Sequence, residues 1–387
     1  MLRASAYTFL YNLTSQFQSI FILRLGATPL QLGITNSVAG AAATSIALPT
    51  GWLADRGGIR RILLWGAPFM VLSSLIFGLA FDWRVAILAM ILLLLGSQLN
   101  RVACPMVCGT YLKNRQRATG RQLCDSFCSV AGLIAPLVAA TIIAAFGGLN
   151  AEGIRPIFLL QALGFAMLFL YTGKFYFDTH RDSKNFSGFL ENTREVLKSN
   201  SAVKSWMVFY FLYSSVYVLS QTYLSAFVTE VKMGNEFTVG GIITASMLLP
   251  ILLSLPLGRA ADIYGRKKVL YLTMPLYCLA ILLLIYSQSF IMLMVCGVML
   301  GFFTVSDVTQ GTITADLVPA KLQGTWFGLL NICRGVATII APLVGGELWS
   351  AVGPEYVFFS IIVIQACMMI ILWFLIPETL QKTTATT

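Results

Sequence analysis

Two stretches, GWLADRGGIRR at Gly51–Arg61 and GRAADIYGRKK at Gly258–Lys268, share a pattern of glycine, aspartate and trailing basic residues. Their spacing decides how the rest of the chain is read. Gly51 aligns with Gly258, Asp55 with Asp262 and Gly58 with Gly265, each 207 residues apart, and Gly33/Gly240 and Pro49/Pro256 keep that offset. IAPLV at Ile134–Val138 returns at Ile340–Val344, and Gly147 answers Gly353, both 206 residues on. The chain is a duplicated unit, and each quoted stretch marks the same place in its half.

The composition says what the unit is made of. At 57% hydrophobic and 11% charged, with mean hydropathy +0.80, the 387 residues carry less than half of the roughly 25% charge typical of a soluble domain. A soluble enzyme is excluded. With about 20 apolar residues per spanning helix, the runs read as Ala4–Leu23, Leu30–Leu53, Ile62–Phe81, Val85–Leu112, Gln122–Ala145 and Pro156–Phe177. A second set follows at Ser205–Phe227, Phe237–Leu257, Val269–Tyr286, Phe290–Gly311, Leu322–Gly346 and Tyr356–Ile376. The charge-free run Val269–Ser306 is too long for one helix, so it is divided at Ser287–Ser289. This predicts an all-α integral membrane protein of 12 spans: an N-terminal bundle over 1–178, a cytoplasmic linker over 179–204 and a C-terminal bundle over 205–387. In the linker, Phe186, Phe189, Leu190, Val196 and Leu197 fall near helical spacing, as in a short helix lying on the membrane surface.

Lys and Arg set the orientation, because cytoplasmic loops retain them. With both termini inside, 20 of the 26 fall in cytoplasmic segments, Arg3 among them. The outer loops hold Arg24, Arg84, Arg155 and Lys232, and Arg101 and Arg334 lie within spans. The +10 net charge is thus a matter of topology and anionic lipid, and no nucleic-acid partner is called for. No GxxxxGK[ST] phosphate loop is present, which leaves an ion gradient or the substrate gradient as the energy source. The eight cysteines all fall in predicted helices, and no metal site or other cofactor is expected from them. The lone His180 stands at a helix end, so no catalytic constellation forms and an enzyme is not expected.

The quoted stretches resemble the loop motif of the Major Facilitator Superfamily, which stands after the second helix of each six-helix half. Ile59 displaces the first basic residue after the glycine in one copy, and Ala260 replaces the leucine in the other. The resemblance implies secondary transport by alternating access. It also implies that Gly51, Asp55, Arg56, Gly58, Arg60, Gly258, Asp262, Gly265 and Arg266 belong to gating loops latching the halves. Physically, the glycines permit tight turns, the aspartate can face a helix N-terminus, and the arginines can pair with it or sit among lipid phosphates.

Four ionisable residues fall within spans: Arg101, Asp125, Asp307 and Arg334. Each costs about 2.5–3.5 kcal/mol at mid-bilayer unless paired or wetted. Arg101 and Asp307 are 206 apart with opposite charge, and Asp125 and Arg334 are 209 apart, again with the signs exchanged. The simplest pairing is Arg101 with Asp125 and Asp307 with Arg334. These pairs act either as fixed struts or, on the functional reading, with Asp307 carrying a proton. Arg101 resembles the fourth-helix arginine of the family's drug/proton antiporters, and Ala135–Ala140 resembles their GPxxGG motif with alanine for glycine. Small residues beside a proline also serve close helix packing alone.

Polar stripes mark a water-lined cavity, since polar groups facing lipid are disfavoured. Helix one carries Asn12, Ser15, Gln16 and Ser19; helix seven carries Tyr210, Ser214, Tyr217 and Gln221. Gln98 and Arg101 add from helix four, and Thr304, Asp307 and Gln310 from helix ten. The family's first, fourth, seventh and tenth helices line its central cavity, which agrees. The leading expectation is a monomeric proton-coupled antiporter in the plasma (inner) membrane, in contact with lipid and exporting a small organic or amphipathic solute. Import or facilitated passage of a sugar or organic anion, and lipid translocation, are the alternatives.

Overall fold

The structure, a computed structural model, describes residues 2–111, 117–175, 193–197, 201–319 and 322–378, and within these the side chains of all but 47–62, 101–111, 117–123, 125–126 and 201. The described backbone is helical, with no strand among the described residues. In chain order the helices are α1 (Leu2–Ser15), α2 (Gln18–Arg24), α3 (Pro29–Leu79), α4 (Trp83–Tyr111), α5 (Arg117–Ala145) and α6 (Ala151–Phe175). They continue as α7 (Ser201–Glu230), α8 (Glu236–Tyr264), α9 (Arg266–Tyr286), α10 (Phe290–Asp316), α11 (Gln323–Ala351) and α12 (Pro354–Leu375). Among the described residues nine helices are long and apolar enough to cross a membrane, and Leu63–Leu79 adds a shorter apolar run.

Local chemistry explains where these helices stop. Thr28 caps α3 reciprocally, its hydroxyl accepting from the Gln31 amide at 3.2 Å while the Gln31 side chain accepts from the Thr28 amide at 2.8 Å, with Pro29 at the first turn. Asn150 accepts from the Gly153 amide at 2.6 Å, Asn235 from the Thr238 amide at 2.9 Å and Ser289 from the Met292 amide at 3.3 Å. The division of the long uncharged run falls as the sequence predicts, α9 ending at Tyr286 and α10 starting at Phe290. Gly147 and Gly353, equivalent in the two halves, both take positive φ, 106° and 146°, so the duplication extends to backbone conformation at the turns.

Two expectations are corrected. The first span is not one helix: α1 ends at Ser15 and α2 starts at Gln18, with the Phe17 amide reaching back only to the Thr14 carbonyl at 2.9 Å. Thr14, β-branched, and Ser15, whose hydroxyl competes for backbone hydrogen bonds, lower the local helix preference just before that joint. The expected loop at Gly51–Arg61 is helical backbone within α3, whereas the second copy turns as predicted at Gly265, φ 112°. A glycine allows a turn without imposing one, and peptide groups that stay helical satisfy their own hydrogen bonds. The linker is described only at 193–197, one helical turn, and α7 begins at Ser201, earlier than the predicted Ser205.

The chain forms two compact units. Unit 1 comprises Met1–Asn185, Val218–Thr244 and Thr338–Pro354; unit 2 comprises Phe186–Tyr217, Ala245–Ala337 and Glu355–Thr387. Unit 1 is centred on Phe21, Phe77 and Phe158, whose ring centroids lie 4.8–6.3 Å apart. Beside them Gln161 ties three helices: its oxygen accepts from Ser74 at 2.8 Å, and its amide donates to Thr14 Oγ1 at 2.7 Å and the Leu10 carbonyl at 2.9 Å. In unit 2 the buried indoles of Trp206 and Trp326 both donate to Thr314, one to its hydroxyl at 3.0 Å and the other to its carbonyl at 2.9 Å.

Hydrogen bonds between membrane helices average about 0.6 kcal/mol. Gln161→Ala, which removes three of them and a buried side chain, is therefore expected to lower unfolding free energy by about 2–3 kcal/mol. Thermal unfolding in detergent micelles checks this, and an unchanged midpoint contradicts it.

Candidate functional site

The chemically richest part of unit 2 lies where α7, α9, α10 and α11 carry Tyr213, Tyr277, Phe303, Asp307 and Arg334. Tyr213 and Phe303 stack with centroids 4.6 Å apart and planes 12° from parallel. Tyr277 packs on Phe303 from another side at 5.1 Å, and Tyr217 lies 6.1 Å from the same ring. The Tyr213 hydroxyl donates to the Phe303 carbonyl at 3.4 Å, one helical turn before Asp307 on α10. The Arg334 guanidinium stands over the Tyr217 ring, 5.4 Å from its centroid, a cation–π arrangement.

Asp307 and Thr304 are exposed on α10, and Tyr217 is 37% exposed on α7. At about 1.5 Å per residue, Asp307 lies roughly 25 Å from one end of α10 and 14 Å from the other. A carboxylate open to its surroundings at that depth demands water or a cation rather than acyl chains. The site therefore holds a wettable carboxylate, a guanidinium resting on a ring and a layer of aromatic faces.

The other expected residues have plain positions. Asn12 and Ser15 are half-buried and Gln16 and Ser19 buried; Asn12 donates to the Thr8 carbonyl at 2.9 Å, and Gln16 donates to the Ser15 hydroxyl at 3.4 Å. Tyr210 and Gln98 are half-buried, Ser214 is buried and Gln221 is exposed. Gln310 is 2% exposed, and its Nε2 has no hydrogen-bond partner. The side chains of Arg101, Asp125, Gly51, Asp55, Arg56, Gly58 and Arg60 lie outside the described residues.

Tyr213, Tyr277 and Phe303 were missed by sequence reasoning. The signal for Tyr213 was present, because Tyr210, Tyr213 and Tyr217 stand three and four apart on one helical face. Arg3, expected in a loop, is buried in α1 and hydrogen-bonds the side-chain oxygen of Asn100 on α4.

The second copy of the quoted stretch is held by internal partners. Arg266 pairs with Asp316, while Asp262 is exposed. The Arg266 and Lys267 amides, at the start of α9, donate to the two Glu378 oxygens at 3.2 Å each, which places an anion at a helix N-terminus. Lys267 Nζ reaches the Trp373 carbonyl at 3.1 Å, in the last turn of α12, and the Ile376 carbonyl at 2.8 Å, just past its end.

Unit 1 contains two seams that repeat each other. A Cβ on Gly33 would run into the Pro342 carbonyl oxygen and the Tyr223 hydroxyl, and a Cβ on Gly240 into the Pro136 carbonyl oxygen. These are the repeat-equivalent glycines and prolines, so the same backbone approach occurs twice, α3 on α11 and α8 on α5. Hydroxyl bonds accompany both seams: Tyr223 of α7 donates to the Pro342 carbonyl at 2.6 Å, and Thr244 to the Leu133 carbonyl at 3.0 Å. The prolines of IAPLV thus sit at a packing contact. Arg24, near one end of this unit, bonds the Leu149 carbonyl at 2.9 Å and pairs with Glu230 at 3.0 Å.

The sequence profile described as Major Facilitator Superfamily matches residues 2–242 and 216–387. The chain belongs to the Major Facilitator Superfamily. It is an integral membrane transporter of that all-α, twelve-helix fold. A mutant of the nucleoside transporter NupG shares the fold with TM-score 0.80 at 13% identity, covering 97% of this chain and 99% of that one. A bacterial homologue of the human lysosomal transporter Spinster, inward-facing and occupied, gives 0.72 at 12% identity, covering 96% and 95%. Among curated relatives, the class H tetracycline resistance protein of Pasteurella multocida is 29% identical over 127 residues, 33% of this chain and 31% of the relative. The class B protein of Escherichia coli is 26% identical over 155 residues, 40% of this chain and 38% of the relative. The similarity spans only about a third of those relatives' length.

Two motif glycines separate packing from mere presence. Gly33→Ala is expected to be strongly destabilising, by several kcal/mol in thermal unfolding, since backbone lies where the methyl must go. Gly258→Ala meets open space inside α8 and is expected to be neutral or to gain up to about 1 kcal/mol.

Proposed function

We propose that this transporter exports a small organic or amphipathic solute in exchange for protons, by alternating access between the halves 1–178 and 205–387. The observation that carries the reading is the Asp307 carboxylate, exposed deep in the apolar span α10, with the Arg334 guanidinium on α11 over the Tyr217 ring. A carboxyl that meets water there can take up and release a proton as its surroundings change, whereas a fully buried one is fixed in one charge state. The aromatic faces of Tyr217 and Phe303 suit a partly apolar cargo. The similarity to two tetracycline resistance proteins supports efflux. On this reading the protein lies in the plasma (inner) membrane as a monomer, both termini are cytoplasmic, and Asp307 and Arg334 balance one another in part of the cycle.

The test is transport by the purified protein in proteoliposomes under an imposed pH gradient, across a panel of dyes, drugs, sugars and organic acids. Asp307→Asn is expected to abolish gradient-driven movement, by at least about a hundredfold, and to spare solute exchange at equal pH. Unchanged gradient-driven flux reduces Asp307 to a strut. Uptake of a sugar or organic acid along the proton gradient would establish the importer reading in place of efflux.

A further inference from the structure

We propose that Arg24 and Glu230 form an ionic latch on the local twofold axis of the duplicated chain, closing the end assigned to the outer side and making its opening sensitive to salt. The proposal rests on the reading of transport by alternating access. Arg24 is the last residue of α2 and Glu230 the last of α7, and they stand 206 residues apart. The helices that follow start at Pro29 and Glu236, 207 apart, so the one-residue change of offset falls in the turn just after the pair. The two residues are therefore repeat-equivalent, and they touch each other, Arg24 Nη2 lying 3.0 Å from Glu230 Oε1.

A residue that meets its own equivalent marks the axis relating two copies, while contacts away from the axis occur twice, crossed. Unit 1 contains both kinds. Gly33 of α3 lies against Pro342 of α11 and Gly240 of α8 against Pro136 of α5, which are the crossed contacts, and Arg24 with Glu230 is the self-pair. In a molecule of two identical halves the self-pair would be two like charges, which repel at that separation. Here the halves differ in sign at this position, so the axial contact is an attraction.

Arg24 is aimed by its own half of the chain. Its Nε donates to the Leu149 carbonyl at 2.9 Å, in the turn between α5 and α6. The guanidinium stays oriented when Glu230 leaves, and less side-chain freedom is lost each time the pair forms again. Both side chains are 37% exposed, whereas Tyr223 at the α3–α11 seam is fully buried. The ion pair is thus the part of this closure that water and salt reach. An exposed pair changes an equilibrium by no more than about fivefold. That suffices to bias two states of similar free energy without locking either one.

The test is pulsed electron-spin distance measurement on the full-length protein in lipid vesicles. The labels are carried by a non-canonical amino acid at Asp82 and Gln288, exposed positions in the α3–α4 and α9–α10 turns. The wild type is expected to give two distance populations, the longer one gaining weight from low to high salt. Arg24→Glu and Glu230→Arg each place like charges on the axis, and each is expected to raise the longer population about threefold or more at low salt and to reverse the sign of the salt effect. Combining the two reversals is expected to bring the distribution back toward that of the wild type. Two populations that neither reversal moves, or that the combination fails to bring back, overturn the latch and leave alternating access intact. A single distance in every variant at every salt concentration overturns alternating access, and the latch with it. Where a reversal does not fold, Glu230→Gln decides: it must abolish the salt effect, and a salt effect of unchanged size overturns the latch.

Discussion

A lipid interior offers no water to a peptide group or a charge, and most of the described structure answers that constraint. Backbone amides are satisfied along helices, and the exceptions at the helix ends are taken up by Thr28, Asn150, Asn235 and Ser289. Buried polar side chains are knotted together, as at Gln161 with Ser74 and Thr14 or at Ser306 with Thr273. Asp307 stands apart because it is open to its surroundings within an apolar span. That contrast, and not the presence of a charge by itself, singles it out as chemistry.

The same economy governs the cations in the loops assigned to the outer side. Arg24 pairs with Glu230, Arg84 stands over Trp83, Arg155 over Phe81 with a bond to the Ala80 carbonyl, and Lys232 over Phe227. Each of these four is committed to a particular ring, carboxylate or carbonyl. A cation over an aromatic face gains about 0.5–1 kcal/mol even when exposed, which favours holding each of them in place locally.

Much of this was legible in the sequence because it follows from periods and lengths. Apolar runs located the helices, the 206–207 residue offset located the duplication, and glycine landmarks marked turns at Gly147, Gly265 and Gly353. The offset said more than it first disclosed: the paired landmarks Gly33/Gly240 and Pro136/Pro342 turned out to be contact partners, crossed between the halves. What stayed hidden depends on neighbours distant in sequence. Arg3 looked like a loop cation because hydropathy cannot foresee an acceptor at Asn100, 97 residues on. Tyr213 was passed over in favour of Ser214, since a stripe of polar residues does not say which member stacks on a ring of another helix, as Tyr213 does on Phe303. The break between Ser15 and Gln18 carries no proline or glycine to announce it.

Thr314 lies seven residues, about two turns, beyond Asp307 on α10 and is shared by the indoles of Trp206 and Trp326. Both rings are fully shielded, while Trp65 and Trp373 are well exposed. The molecule therefore contains its own optical gauge. A displacement of this helix alters the environment of two enclosed fluorophores at once, without any label being attached.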